Sequence, residues 1–250
     1  MSRPLPETVH PVARYLEAAH GRHLQNAVFV AGQTCSVCAK PLNHSLDALC
    51  QECQGHLRAE LPLADRVGVL IYAEKHDSQS YKVVRQYKGP NPGPDVERVM
   101  MSLIALGLRG HVECAMRMSG TPTGWAVMPS SKGRMRLGEI VRGMTRRPDD
   151  EIRLGTARDF EQRRLRPDNF VIESDHVPER VLLVDDSWVS GSNAQSAAAA
   201  LKQAGAKDVS VFVVARVLDP TYPATKRFLA ARGRPAFDAT ICPWTGGACP

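Results

Sequence analysis

Nowhere does this 250-residue sequence carry the roughly 18 consecutive apolar residues that a membrane-crossing helix needs. Residues 1–23 hold no apolar signal core, and Glu7 and Glu17 argue against an organellar transit peptide. The expectation is therefore a cytoplasmic protein with no membrane partner. Internal repeats and low-complexity tracts are also lacking. So is a run of aromatics alternating with basic residues, the usual platform for single-stranded nucleic acid. Cysteine is scarce and odd in number, at seven, which does not suit a secreted disulfide framework.

The hydrophobic share of 43% is ordinary for a globular chain with a core. The net charge is +6, which favours anionic partners such as phosphorylated metabolites or nucleic acid. Lys132, Arg134, Arg136, Arg142, Arg146, Arg147, Arg153 and Arg158 crowd the middle of the chain, and Arg163, Arg164 and Arg166 follow. A solvated surface and an anion-facing one are both compatible with this cluster.

The pattern divides the chain into an N-terminal helical segment (1–31), a cysteine-paired segment without an apolar run of its own (32–60), and an α/β region (61–250). Apolar spacing predicts a helix over 7–29 and another over 79–88. The breaker GPNPGP (89–94) precedes a helix over 96–109 with Asp95 as its expected N-cap. Strands are expected at 67–73, 124–128, 169–173, 181–184 and 209–217, and helices at 192–205 and 221–232. Weak helical character around 137–144 interrupts a polar, basic stretch. Strands alternating with helices predict a doubly wound, mostly parallel sheet.

The segment VLLVDDSWVSGSNAQSAAAAL (181–201) is the most informative. An apolar strand runs into Asp185 and Asp186, and a small-residue turn leads straight into an alanine-rich helix. Backbone N–H groups at a helix start point outward unsatisfied, and the helix dipole favours an anion there. Gly191 allows close approach of a ligand. Ser190, Ser192 and Asn193 offer side-chain hydrogen bonds to phosphate oxygens. The two carboxylates repel phosphate but suit hydroxyls or a metal ion. Together these features describe a grip on a sugar phosphate, placed where open α/β sheets hold their ligands. The alternative is a Rossmann-like strand–turn–helix whose acids only cap the helix.

Cys35-x2-Cys38 is followed after eleven residues by Cys50-x2-Cys53. Two such pairs can present four thiolates tetrahedrally to a zinc ion, and with no position left open the role is structural. A redox dithiol or an iron–sulfur cluster are the alternatives. Lys40, His56 and Arg58 are expected to offset the thiolate charge, and His44 and His56 are spare ligands. Cys242 and Cys249 could close a loop, bind a metal with another residue, or be buried thiols, the last being the expectation.

The strand, the acid pair and the turn at 181–193 resemble the signature of the type I phosphoribosyltransferases. A four-cysteine module ahead of such a domain resembles the ComF family, whose better-known members are associated with DNA uptake. YKVVRQYKG (81–89), AVMPSS (126–131) and 166–170 resemble further segments of that family. The resemblance implies a type I phosphoribosyltransferase fold with a small zinc ribbon. It implies that Asp185 and Asp186 bind the ribose hydroxyls of phosphoribosyl pyrophosphate (PRPP), which arrives with Mg²⁺, and that Ser190, Gly191, Ser192 and Asn193 cradle its 5-phosphate. The loop of Ser130, Ser131 and Lys132, with Lys88, would stabilise pyrophosphate, and 132–147 would form a flexible lid or a surface loop. The implied activity is phosphoribosyl transfer to a base or amine. A non-catalytic PRPP-responsive or nucleic-acid-handling role is the alternative. Val189, where the family carries threonine or aspartate, Trp188, Asn193 and the missing Arg-Gly-Phe-Asn-Gln run mark a divergent sequence.

Overall fold

The computed structural model describes residues 4–76, 78–130, 132–145 and 147–250. Ser131 and Arg146 lie outside the described residues. A 3₁₀ turn (Glu7–Val9) leads into helix α1 (His10–His20), which ends well before residue 29. His23 N and Leu24 N both bond back to His20 O, at 2.8 and 2.9 Å, and close the helix. The chain then straightens into the short strand β1 (Gln25–Asn26). The cysteine segment contributes helix α2 (Gln51–Arg58), and strand β2 (Arg66–Glu74) follows.

Helix α3 (Gln79–Gln86) is capped by Ser78, whose Oγ accepts from Tyr81 N at 3.1 Å. Helix α4 (Pro94–Ala105) starts two residues earlier than expected. Gly93 is its N-cap and Pro94, with φ already fixed, is its first residue. Asp95 therefore lies in the first turn, where its charge still favours the dipole. A π turn (Leu106–Gly110) joins α4 to helix α5 (Val112–Ser119). The most apolar stretch of the helical run Pro94–Ser119 has a mean hydropathy of 1.3 and would pass for a membrane span by length and composition, but 56% of it is buried in the protein.

Strand β3 (Gly124–Val127) and helix α6 (Arg136–Met144) come next, then β4 (Leu154–Thr156) and β5 (Phe170–Ile172). Strand β6 (Arg180–Trp188), helix α7 (Ser192–Gln203), strand β7 (Asp208–Leu218) and helix α8 (Pro223–Arg232) follow, with a tail over 233–250. The expected strand at 169–173 exists as β5, but it pairs antiparallel with β4 outside the main sheet.

The main sheet has five strands in the order β1-β2-β7-β6-β3, with β1 antiparallel to β2 and every other pair parallel. The protein is thus a mixed α/β fold with a mostly parallel sheet, as the alternation of elements predicts. The central strands read as continuous apolar runs because both faces are covered. Leu70, Leu182, Val184, Phe212 and Val214 join residues of α1, α3, α4, α5 and α6 on one face. Val69, Leu183, Val211 and Val213 face the opposite way, toward α7, Phe228 of α8 and the four paired cysteines. The helical segment and the cysteine segment therefore share their cores with the sheet.

The stretch 132–147 is neither a free lid nor a disordered loop in the part that forms α6. Leu137, Ile140 and Val141 are buried on the sheet, because helical spacing puts all three on one side.

Candidate functional site

Strand β6 does not stop at the acid pair, as the apolar run 181–184 suggests, but continues to Trp188. Pairing with β3 ends at Val127–Val184, whereas pairing with β7 runs on to Trp188–Arg216. Beyond Val184 the strand has one partner among the described residues, and a crevice opens on the side that β3 has left. Asp185 and Asp186 sit at this opening.

The turn that follows is built tightly. Gly191 adopts φ +86°, a left-handed conformation that favours glycine. A Cβ there would come within 2.1 Å of the Trp188 indole, so the bulky ring is the floor of the turn. Beneath it lies Arg216 of β7, 2% exposed, whose Nη1 donates to Trp188 O at 2.7 Å and also to Val189 O. Trp188 Nε1 and Arg216 Nε are buried without a hydrogen-bond partner among the described residues. The first intrahelical bond of α7 runs from Gln195 N to Gly191 O. The amides of Asn193 and Ala194 precede it and, by helix geometry, have no intrahelical acceptor. Ser192 N uses Ser190 Oγ at 3.3 Å.

A cavity of about 190 Å³ lies against this turn. It gathers Lys88, Ser130, Asp185, Asp186, Ser190, Gly191 and Asn193 from the residues singled out in the sequence. Ser192 does not line it. Its hydroxyl is buried between Ser190 Oγ and His56 Nε2, each 3.2 Å away. Asn193 Oδ1 accepts from Arg163 N at 3.1 Å and so holds the segment 157–166 over the opening. Lys132 is exposed and outside the lining, with its amide on Ser130 Oγ at 3.3 Å. Tyr87, Arg134, Arg136, Phe160, Gln162 and Arg163 also line it; the arginines belong to the basic cluster for which an anion-facing role is one of two expectations, whereas Phe160 and Gln162 carry no sequence signal.

The electrostatics are uneven. Lys88 Nζ donates to Asp186 Oδ1 at 2.6 Å, and Tyr87 Oη donates to Asp186 Oδ2. Burial, followed by the Asp186 charge, pushes the Tyr87 hydroxyl well above its ordinary value, so it remains a donor. Burial, followed by the neighbouring Asp186 carboxylate, pushes Asp185 up to about 7. One acid is thus neutralised by a lysine while the other is poised between its two protonation states. Many of the surrounding arginines are already engaged. Arg136 pairs with Glu97 and Glu139, Arg142 with Glu151, and Arg166 with Asp159 and Glu161.

The four paired cysteines converge on the other side of the turn. Cys35 and Cys38 lie on a tight loop closed by the next residue, Ala39, which takes φ +57° and donates its N–H to Cys35 O at 3.0 Å. Cys50 is the N-cap of α2, and Cys53 lies in that helix's first turn. The four sulfurs lie within 4.8 Å of one another, with Cys38 and Cys50 3.7 Å apart. Four buried soft donors at such distances can hold one metal ion. Lys40 is paired with Glu52 at 2.6 Å instead of with the sulfurs, and Tyr72 of β2 anchors the loop by donating to Ala39 O at 2.9 Å.

These elements define an α/β protein with an anion-suited turn at the carboxyl end of a parallel sheet and a four-cysteine cluster fit for a metal ion. Compared with known proteins, the chain matches no family model and no curated sequence.

Proposed function

We propose that this cavity binds PRPP, and that the chain is a divergent type I phosphoribosyltransferase-like protein of ComF type. One juxtaposition carries the reading. The early amides of α7 sit beside two carboxylates at the point where β3 leaves β6, so anion donors and hydroxyl acceptors face one cavity. In this reading the 5-phosphate lies on Ser190, Gly191 and the amides of Asn193 and Ala194. The ribose hydroxyls lie on Asp185 and Asp186, and pyrophosphate lies toward Ser130, Lys88 and Arg134. Mg²⁺ arriving with PRPP supplies positive charge against the pyrophosphate. Lys88 leaves Asp186 for the incoming anion, and Tyr87 keeps that carboxylate oriented. Fixed charge aimed at a departing pyrophosphate is the main catalytic contribution such a site can make to transfer onto a base or amine.

A second reading, a PRPP-responsive binding protein without turnover, is favoured by Val189. Its apolar side chain stands where a polar group would serve as general base, and its carbonyl is taken by Arg216.

In the four-cysteine cluster we assign Zn²⁺, because a closed set of four thiolates suits a structural zinc.

Calorimetric titration with PRPP and Mg²⁺ decides between these readings when combined with an assay for pyrophosphate release over a panel of bases. Binding that Asp185→Asn/Asp186→Asn abolishes supports the site. Release with one of the bases identifies the enzyme, and binding without release identifies the sensor. No binding by the folded protein refutes both.

A further inference from the structure

Cys114, Cys242 and Cys249 take no part in the cavity or in the first cysteine cluster. They nonetheless converge with His111, one donor atom from each lying within 4.8 Å of all the others. His111 and Cys242 have no exposed surface, and Cys114 is 3% exposed. We propose that His111 Nδ1 and the thiolates of Cys114, Cys242 and Cys249 form a second, structural zinc site that fastens the tail 237–249 to α5.

The geometry fits such an ion closely. A tetrahedral zinc with ordinary bond lengths sets its nitrogen and sulfur ligands roughly 3.5 Å apart. His111 Nδ1 and Cys249 Sγ are 3.5 Å apart. The other ring nitrogen, Nε2, lies 3.0 Å from Ala239 O, an acceptor only, so it carries the proton. The lone pair of Nδ1 is therefore turned toward the sulfurs. Zinc-binding imidazoles are oriented in this way, with the far N–H given to a carbonyl. Trp244 Nε1 donates to His111 O at 3.1 Å and fixes the same residue from its backbone.

Two local turns supply the ligands. His111 caps α5 and Cys114 lies in its first turn, with Cys114 N on His111 O at 3.1 Å. The tail forms the other. Cys242 N bonds to Gly247 O and Gly246 N to Cys242 O, both at 2.8 Å, and Gly246 takes φ +69°. This reversal brings Cys249 back beside Cys242. The same tail lies along β2, where Pro243 O accepts from Val69 N at 2.8 Å and Trp244 covers Gly68. Three soft sulfurs and an imidazole in a dry site match zinc better than a hard cation. On binding, the three thiols release their protons to solvent, and the ion with three thiolates and a neutral imidazole carries one negative charge.

The test is metal content of the full chain after exhaustive dialysis, read by elemental mass spectrometry. Wild type should hold two zinc ions per chain. Cys242→Ser/Cys249→Ser should hold one, and Cys35→Ser/Cys38→Ser should also hold one, so loss at either cluster is seen separately. If a variant does not fold, X-ray absorption of the wild-type zinc answers the same question. An average of roughly 3.5 sulfur and 0.5 nitrogen ligands per ion is expected. An all-sulfur shell, or a wild type whose zinc content is unchanged by Cys242→Ser/Cys249→Ser, overturns the proposal. So does a disulfide among Cys114, Cys242 and Cys249 in the unreduced protein.

Discussion

The imidazole of His56 lies 3.2 Å from the hydroxyl of Ser192, and this contact joins the helix that carries Cys50 and Cys53 to the first residue of α7. Both groups are buried, and burial lowers the basicity of the imidazole, so His56 is held neutral. The cysteine module is thereby a prop for the anion-suited turn. His56→Ala should lower affinity for PRPP with Mg²⁺ by about fivefold, the worth of one net hydrogen bond of about 1 kcal/mol. Calorimetry measures it, and unchanged affinity in the folded variant would separate the module from the turn.

Gly191→Ala should destabilise the protein by roughly 2–4 kcal/mol, combining a left-handed alanine with a collision on the indole. The collision follows from the 2.1 Å that separates an added Cβ from the Trp188 ring. Urea unfolding gives the difference. A loss of only about 1 kcal/mol, no more than the left-handed alanine costs by itself, would mean that the ring moves aside freely.

Asp185 gives the pH dependence its sign. Its folded value of about 7 stands above the ordinary 3.8, so the folded state holds a proton that the unfolded state has released. The associated stability is complete below 3.8 and is lost as pH rises through about 7. Asp185→Asn should therefore raise the melting temperature of the ligand-free protein above pH 7 and have progressively less effect on acidification. Melting curves across this range check it, and a benefit that grows toward low pH contradicts the assignment.

Arg216→Met should cost about 3 kcal/mol, because two buried carbonyls lose a charged donor at once. The carbonyls are those of Trp188 and Val189, so PRPP affinity should fall along with stability. Chemical denaturation and calorimetry on one preparation test both effects. Loss of stability with full affinity would show that the turn keeps its shape without the guanidinium.

Much of the sheet was legible because its strands are apolar runs between turn signals, and the first cysteine cluster because its four thiols are close in sequence. The extension of β6 through Asp185 and Asp186 was hidden, since acids inside a strand contradict its apolar pattern until β7 is seen pairing with them. Arg216 looked like an ordinary strand residue within 209–217. Its role depends on a contact with a turn distant in the chain. Cys242 and Cys249 read as buried thiols, and their convergence with His111 and Cys114 is created only when the tail crosses β2. His111-x2-Cys114 is a lone pair of donors with no second pair close by in the sequence, so its spacing alone carries little signal. Tyr87 and Lys88 follow α3, and nothing local indicates that they reach Asp186.

The single-sided end of β6 has a further consequence. Past Val184 its outer flank has no neighbouring strand among the described residues, while β7 braces the inner one as far as Trp188. A visitor to the crevice need not pry apart a ladder to reach the carboxylates, so admission and departure leave the central architecture untouched. The strap at 157–166, pinned to the turn through Asn193, borders the same opening through Phe160, Gln162 and Arg163.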